Sequence, residues 1–175
     1  MKLRIKSKIA SAHRKMEITG SEGQVLYRVH SKVVSLHGTT FLTRENGDEV
    51  AVITANPMSL RDTHRIEMAD GSIVDIRTEL LHLTKDVLDI DALGWYLSGD
   101  LVQHNYKLMD SEGRILAQAH RKWMSLHNTY ELEVEDESQL DSIMAVLVAL
   151  ERIVEDRQRV LAEPSGNISA PGSGQ

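Results

Sequence analysis

The chain has 175 residues, 41% hydrophobic and 26% charged, enough for one well-buried domain of ordinary globular composition. It contains no cysteine, which excludes disulfides, thiolate metal sites and cysteine nucleophiles. A formal net charge of −6 argues against a general nucleic-acid binder, whose phosphate contacts need surplus Lys and Arg.

The chain opens with "MKLRIKSKIASAHRK", where apolar and basic residues alternate and the continuous apolar core of a signal peptide does not form. A cytoplasmic protein is expected, peripheral to the membrane if its partner is a lipid. Residues 1–16 carry Lys2, Arg4, Lys6, Lys8, Arg14 and Lys15 and no acid, so this stretch is +6 and the remainder −12. In a strand, Lys2, Arg4, Lys6 and Lys8 share one face while Leu3, Ile5 and Ile9 share the other.

A repeat follows. "KIASAH" (8–13), "KVVSLH" (32–37) and "NPMSLR" (56–61) are spaced 24 residues apart, and "KWMSLH" (122–127) is a fourth copy. Gly23, Gly47 and Gly71 keep the same spacing, and Gly113 precedes the fourth copy as Gly23 precedes the second. The repeating unit reads as two alternating strands, a glycine turn and a Ser-Leu-His corner followed by Gly38, Asp62 or Asn128, residue types that tolerate positive φ. About twelve strands result, from 2–9 to 129–135, the spacing of an all-β sandwich or barrel. A membrane barrel would alternate in the same way, but 4% aromatic residues are too few for two interfacial girdles.

The last element is different. Ser138 and Asp141 form a capping-box pattern, and a helix over 138–161 is expected. From Ile143 to Leu150 it is apolar all round, as in a helix buried on every side. At eight residues this run is far short of the roughly 20 that span a bilayer, so no transmembrane segment is expected. The predicted fold is all-β dominated, a closed antiparallel barrel of about twelve strands around a buried hydrophobic C-terminal helix, with domain limits 1–161. Residues 162–175, rich in Pro, Gly and Ser, form a disordered tail.

The opening "IKSKIAS", the repeated units, the "SGD…YKLMDSEG" stretch and "NTYELEVE" before a hydrophobic terminal helix together resemble the LURP-one-related family. That family belongs to the Tubby C-terminal-like group with the phospholipid scramblases. The resemblance implies a twelve-stranded barrel around a C-terminal helix and a binding role. It carries no catalytic residues onto this chain, and the terminal membrane anchor of scramblases is not evident.

His30, His37, His120 and His127 recur because the unit recurs, so they are read as structural and no metal or cofactor is assigned. Ser11, Ser35, Ser59 and Ser125 hold the corner position with no nucleophile-elbow motif around them, so no catalytic residue is assigned and the protein is read as a non-enzyme. Trp95, Trp123, Tyr106 and Tyr130 are read as core or rim packing. The basic comb Lys2, Arg4, Lys6 and Lys8, with Lys32 and Lys122 of the repeated strings, is the candidate anion- or lipid-binding set. Glu131, Glu133 and Glu135 form an acidic comb on the last strand, which in a barrel of even strand number neighbours the first, so the combs can instead pair across the seam. The expected function is a non-enzymatic binding or scaffold module whose partner is an anionic phospholipid or phosphoinositide headgroup, or a protein. The alternatives are a small-molecule enzyme or carrier using a residual barrel cavity, and a purely structural interaction domain.

Overall fold

The computed structural model of the chain describes residues 1–8, 15–32, 38–56, 62–78, 86–121 and 129–162. Twelve strands precede one helix: β1 (Lys2–Lys8), β2 (Lys15–Gly20), β3 (Val25–Lys32), β4 (Thr39–Arg44), β5 (Glu49–Asn56), β6 (Asp62–Met68), β7 (Ile73–Thr78), β8 (Asp86–Ile90), β9 (Trp95–Asp100), β10 (Asn105–Asp110), β11 (Ile115–His120), β12 (Thr129–Val134) and α1 (Leu140–Ala162). The strands form one antiparallel sheet in the order β7-β6-β5-β4-β3-β2-β1-β12-β11-β10-β9-β8, curled into a nearly closed barrel. Period-2 alternation drives the curl, since one face of each strand must be buried and the other can be wet. Met16 and Ile18 point inward from β2, and Tyr130, Leu132 and Val134 from β12.

β1 and β12 are antiparallel neighbours, with Leu3 opposite Leu132 and Ile5 opposite Tyr130. The ends of the sheet are elsewhere. β7 and β8 lie side by side with no ladder between their described residues, so the barrel's open seam falls between these two strands.

The glycine turns are as the repeat requires. Gly23, Gly47, Gly71 and Gly113 have φ of 85°, 93°, 85° and 81°, and each N–H donates to the carbonyl three residues earlier at 2.9–3.0 Å. Register shifts at Ile18/Thr19, Leu42/Thr43 and Leu108/Met109 flank three of these turns, the pattern of a left-handed glycine bulge closing a hairpin. The Ser-Leu-His corners, with Ser35, His37, Ser125 and His127, lie outside the described residues, as do residues 163–175.

α1 fills the barrel. Every side chain from Ile143 to Leu150 is at most 2% exposed, and Ile153 and Val154 continue the buried stripe as Glu151, Arg152 and Glu155 reach the rim. The helix start differs from the capping box expected at Ser138. A 3-10 turn, Glu137–Gln139, precedes α1, so the cap moves back to Asp136, whose carboxylate accepts from the Ser138 N–H at 3.0 Å. Asp141 instead ties the helix to the wall, accepting from the Tyr27 hydroxyl at 2.7 Å and from the Arg44 guanidinium. Truncating Leu147 to Ala leaves a cavity on the barrel axis and is expected to cost about 2–5 kcal/mol, measured by chemical denaturation.

Candidate binding end of the barrel

The hairpins divide the barrel into two ends, about 20 Å apart by strand length. At the end where α1 begins, the segments 20–24, 44–49, 68–72, 89–94, 110–114 and 135–141 carry thirteen acids, no histidine and only Arg44 and Arg114 as bases. Both bases are engaged, Arg44 with Asp141 and Arg114 with Asp110. Burial pushes the Asp110 carboxyl up, but the N–H groups of Arg114 and Glu112 and the Arg114 guanidinium outweigh it and hold it below the usual carboxylate range. At the opposite end, the described residues of the connecting segments and strand ends carry Lys8, Lys15, Lys32, Arg77 and Arg121 against Asp62, Asp86 and Asp100, with His104. The segregation matches the helix dipole, placing acids round the N-terminus of α1 and bases round its C-terminal half.

The structure distributes the basic comb along this gradient. Lys2 sits at the acidic end, opposite Glu133, with its ammonium 3.7 Å from the carboxylate. Arg4 stands between Glu131 and Thr19, and Lys6 between Thr129 and Glu17. Lys8 and Lys32 close their strands at the basic end, and Lys122 lies outside the described residues. Lys2 and Arg4 thus lie opposite acids of β12 and Lys6 opposite Glu17 of β2, as expected of a paired seam, whereas Lys8 lies opposite Lys15, and the cations gathered at the basic end come from several strands. Lys15 opens β2 there, Arg121 donates to Gln103 Oε1 at 3.0 Å, and Arg152 projects from α1. Single-strand alternation does not find Arg121 and Arg152, because they share an end of the barrel without sharing a strand.

His30 is exposed and stacks on Phe41, with centroids 5.0 Å apart and planes 13° from parallel, and His120 is exposed at the end of β11. Among the described residues no three His, Asp or Glu side chains converge as metal ligands.

A buried polar cluster lies behind the rim. His104 ends the β9–β10 turn in the left-handed region, φ 50°, and its ring stacks on Tyr130 with centroids 4.2 Å apart and planes 6° from parallel. Its Nδ1 is 3.1 Å from Glu151 Oε1, the first polar side chain of α1 beyond the apolar run. Tyr106 and Tyr130, each 3% exposed, complete the group, and neither hydroxyl makes a well-aligned hydrogen bond. Burial, and then the field of the Glu151 carboxylate, pushes both phenols well above the ordinary tyrosine range. Gly99 makes the turn feasible, since a Cβ there would lie 2.5 Å from the Asn105 carbonyl oxygen and its φ is 130°. Tyr106 and Tyr130, expected from the sequence as core or rim packing, are both buried, and nothing in the sequence couples them to His104 and Glu151.

The LURP-one-related family model matches residues 1–151. The chain belongs to the LURP-one-related family. Its barrel is similar to the X-ray structure of an Arabidopsis thaliana protein, with a TM-score of 0.52 and 18% identity over 86% of this chain and 92% of that one. At that identity the likeness shows a shared fold. No curated protein matches the chain.

Burial also raises the Tyr27 phenol, aided by its hydrogen bond to Asp141. A group whose pKa folding raises contributes stability that is complete below its unfolded value, about 10, and is lost as pH rises above it. Alkaline titration followed by phenolate absorbance is therefore expected to show Tyr27, Tyr106 and Tyr130 ionising together with the loss of folded circular dichroism, and not in a separate earlier step near pH 10.

Proposed function

We propose that this LURP-one-related barrel is a non-enzymatic binding module that docks its basic end against an anionic phospholipid surface. The observation that carries the reading is the axial charge segregation, which turns one end of a net-acidic protein toward anions and the other away from them. Among the described residues no helix is long and apolar enough to cross a membrane, so the mode of attachment proposed is peripheral and electrostatic. The resemblance to the Tubby-like and scramblase-like group supports a membrane-facing role. Location at the cytoplasmic face follows from the same reading, because anionic lipids concentrate there. Lys6, Lys8, Lys32, Arg121 and Lys122 are the proposed contact set. Lys2 and Arg4, opposite Glu133 and Glu131, contribute to the β1–β12 seam.

Each basic residue near an anionic surface is worth about 1 kcal/mol, so the double reversal Lys6→Glu/Lys8→Glu is expected to weaken binding by roughly tenfold or more. Co-sedimentation with phosphatidylglycerol/phosphatidylcholine vesicles at low salt measures this. The wild type should pellet with anionic vesicles, leave pure phosphatidylcholine vesicles in solution and dissociate as salt rises. Absence of binding to anionic vesicles at low salt ends the lipid reading, and a variant that loses melting temperature instead of vesicle affinity assigns the two lysines to the seam.

A further inference from the structure

Along most of β1, charges on the outer wall meet opposite charges across the ladder. Lys2 lies opposite Glu133, Arg4 opposite Glu131 and Lys6 opposite Glu17, and Glu17 is met again by Arg28 of β3. The row nearest the basic end breaks this order. Lys8 lies opposite Lys15, Lys15 opposite His30 and His30 opposite Phe41, and the row runs on through Val52 before it reaches an acid at Glu67 of β6. Like charges directly opposite each other are destabilising, so a wall that keeps them side by side suits an anion outside the molecule. Glu151 and Glu155 of α1 lie at the rim inward of Lys15 and have partners of their own.

The repeat supplies an internal comparison for the histidine in this row. His30 and His120 hold equivalent repeat positions and are both exposed, yet His120 lies opposite Glu131 while His30 lies between Lys15 and Phe41. The charged groups around His30 are Lys15 on β2, with Glu17 one step further along, and Arg28 and Lys32 on β3 itself. β4 adds Phe41, Thr39 and Thr43, none of them charged. Imidazole takes up its proton in the mildly acidic range, and the row then carries a third positive charge in line with Lys8 and Lys15. In water that charge adds repulsion, whereas against an anionic surface it adds attraction. Phe41, the only phenylalanine of the chain, stacks flat on His30 and has Val52 as its other neighbour. Cations bordered by apolar side chains match the headgroup boundary of a bilayer, and five strands make a face roughly 20 Å wide, broader than one extended peptide.

We propose that the outer wall of β1–β5 beside the basic end is the face laid against the anionic phospholipid surface, and that His30 tightens this contact as pH falls. The proposal rests on the docking reading and adds to it a face, with Lys15, His30 and Phe41 as contacts, and a means of regulation.

Co-sedimentation of the full chain with phosphatidylglycerol/phosphatidylcholine vesicles at low salt, at about pH 5.5 and about pH 8, tests it. His30→Gln is expected to weaken binding about fivefold at the lower pH and to leave it unchanged at the higher, whereas His120→Gln changes neither. His30→Lys, which fixes the charge, should gain about fivefold at the higher pH. Lys15→Glu should weaken binding roughly tenfold or more at both, and Lys107→Glu, the same charge change on β10 four strands round the barrel, should have less than a quarter of that effect. All four positions are exposed, so melting temperatures are expected to stay at the wild-type value. No loss with His30→Gln at the lower pH, or an equal loss with His120→Gln, overturns the proposal. So do equal losses with Lys15→Glu and Lys107→Glu, which would show net charge alone at work. In each of these cases the wild type still pellets and the docking reading stands, whereas a wild type that pellets at neither pH ends both. Retention on immobilised poly-glutamate without pelleting assigns the wall to an acidic protein and overturns the lipid face.

Discussion

The structure depends on enclosing one stretch of helix. From Ile143 to Leu150 no side of α1 is polar, so partial burial against a flat sheet would leave apolar surface in water at roughly 25 cal/mol per Å². Only a surface that wraps the whole circumference removes that penalty, and twelve twisted antiparallel strands supply it. The inward residues of the strands are then chosen by what faces them. Leu3, Ile5, Ile18, Leu42, Ile53, Ile66 and Leu132 are all at most 2% exposed. The outward residues are left free to carry charge.

Enclosure also gives the barrel a direction. The helix enters at the end where four glycine hairpins repeat, and the acids of those turns, with Asp136 and Asp141, lie where its N-terminal N–H groups need acceptors. It leaves at the end where Lys8, Lys15, Lys32, Arg77 and Arg121 lie among the described residues. The enclosure gives out at Glu151, beside which lie His104, Tyr106 and Tyr130. The chemistry of the molecule gathers where the apolar run stops.

The architecture was legible because it rests on periodicity. Alternation marked the strands, 24-residue spacing marked the hairpins, and the absence of any polar residue from 143 to 150 marked the central helix. The β1–β12 pairing followed from strand number and the complementary combs. What escaped was fixed by three-dimensional closure. The open seam at β7 and β8 has no residue signature, since Ile73–Thr78 and Asp86–Ile90 read like the other strands. Asp136 takes over the cap from Ser138 because a 3-10 turn shifts the helix start, a change of two residues below the resolution of a capping pattern. Glu151, His104, Tyr106 and Tyr130 come from a helix, a turn and two strands, and nothing in their spacing marks them as a group.

The place of α1 in the chain bears on how the protein is made. The element that fills the barrel follows all twelve strands in sequence, so during synthesis every strand emerges before the surface its inner face will cover. A barrel wall assembled without its axis has a wet apolar lining, and β7 and β8 add two sheet edges without ladder partners among the described residues. Completion of the core is therefore a late, single event that waits for Ile143–Leu150 to leave the ribosome. Until then the nascent chain has its greatest exposure to misassociation.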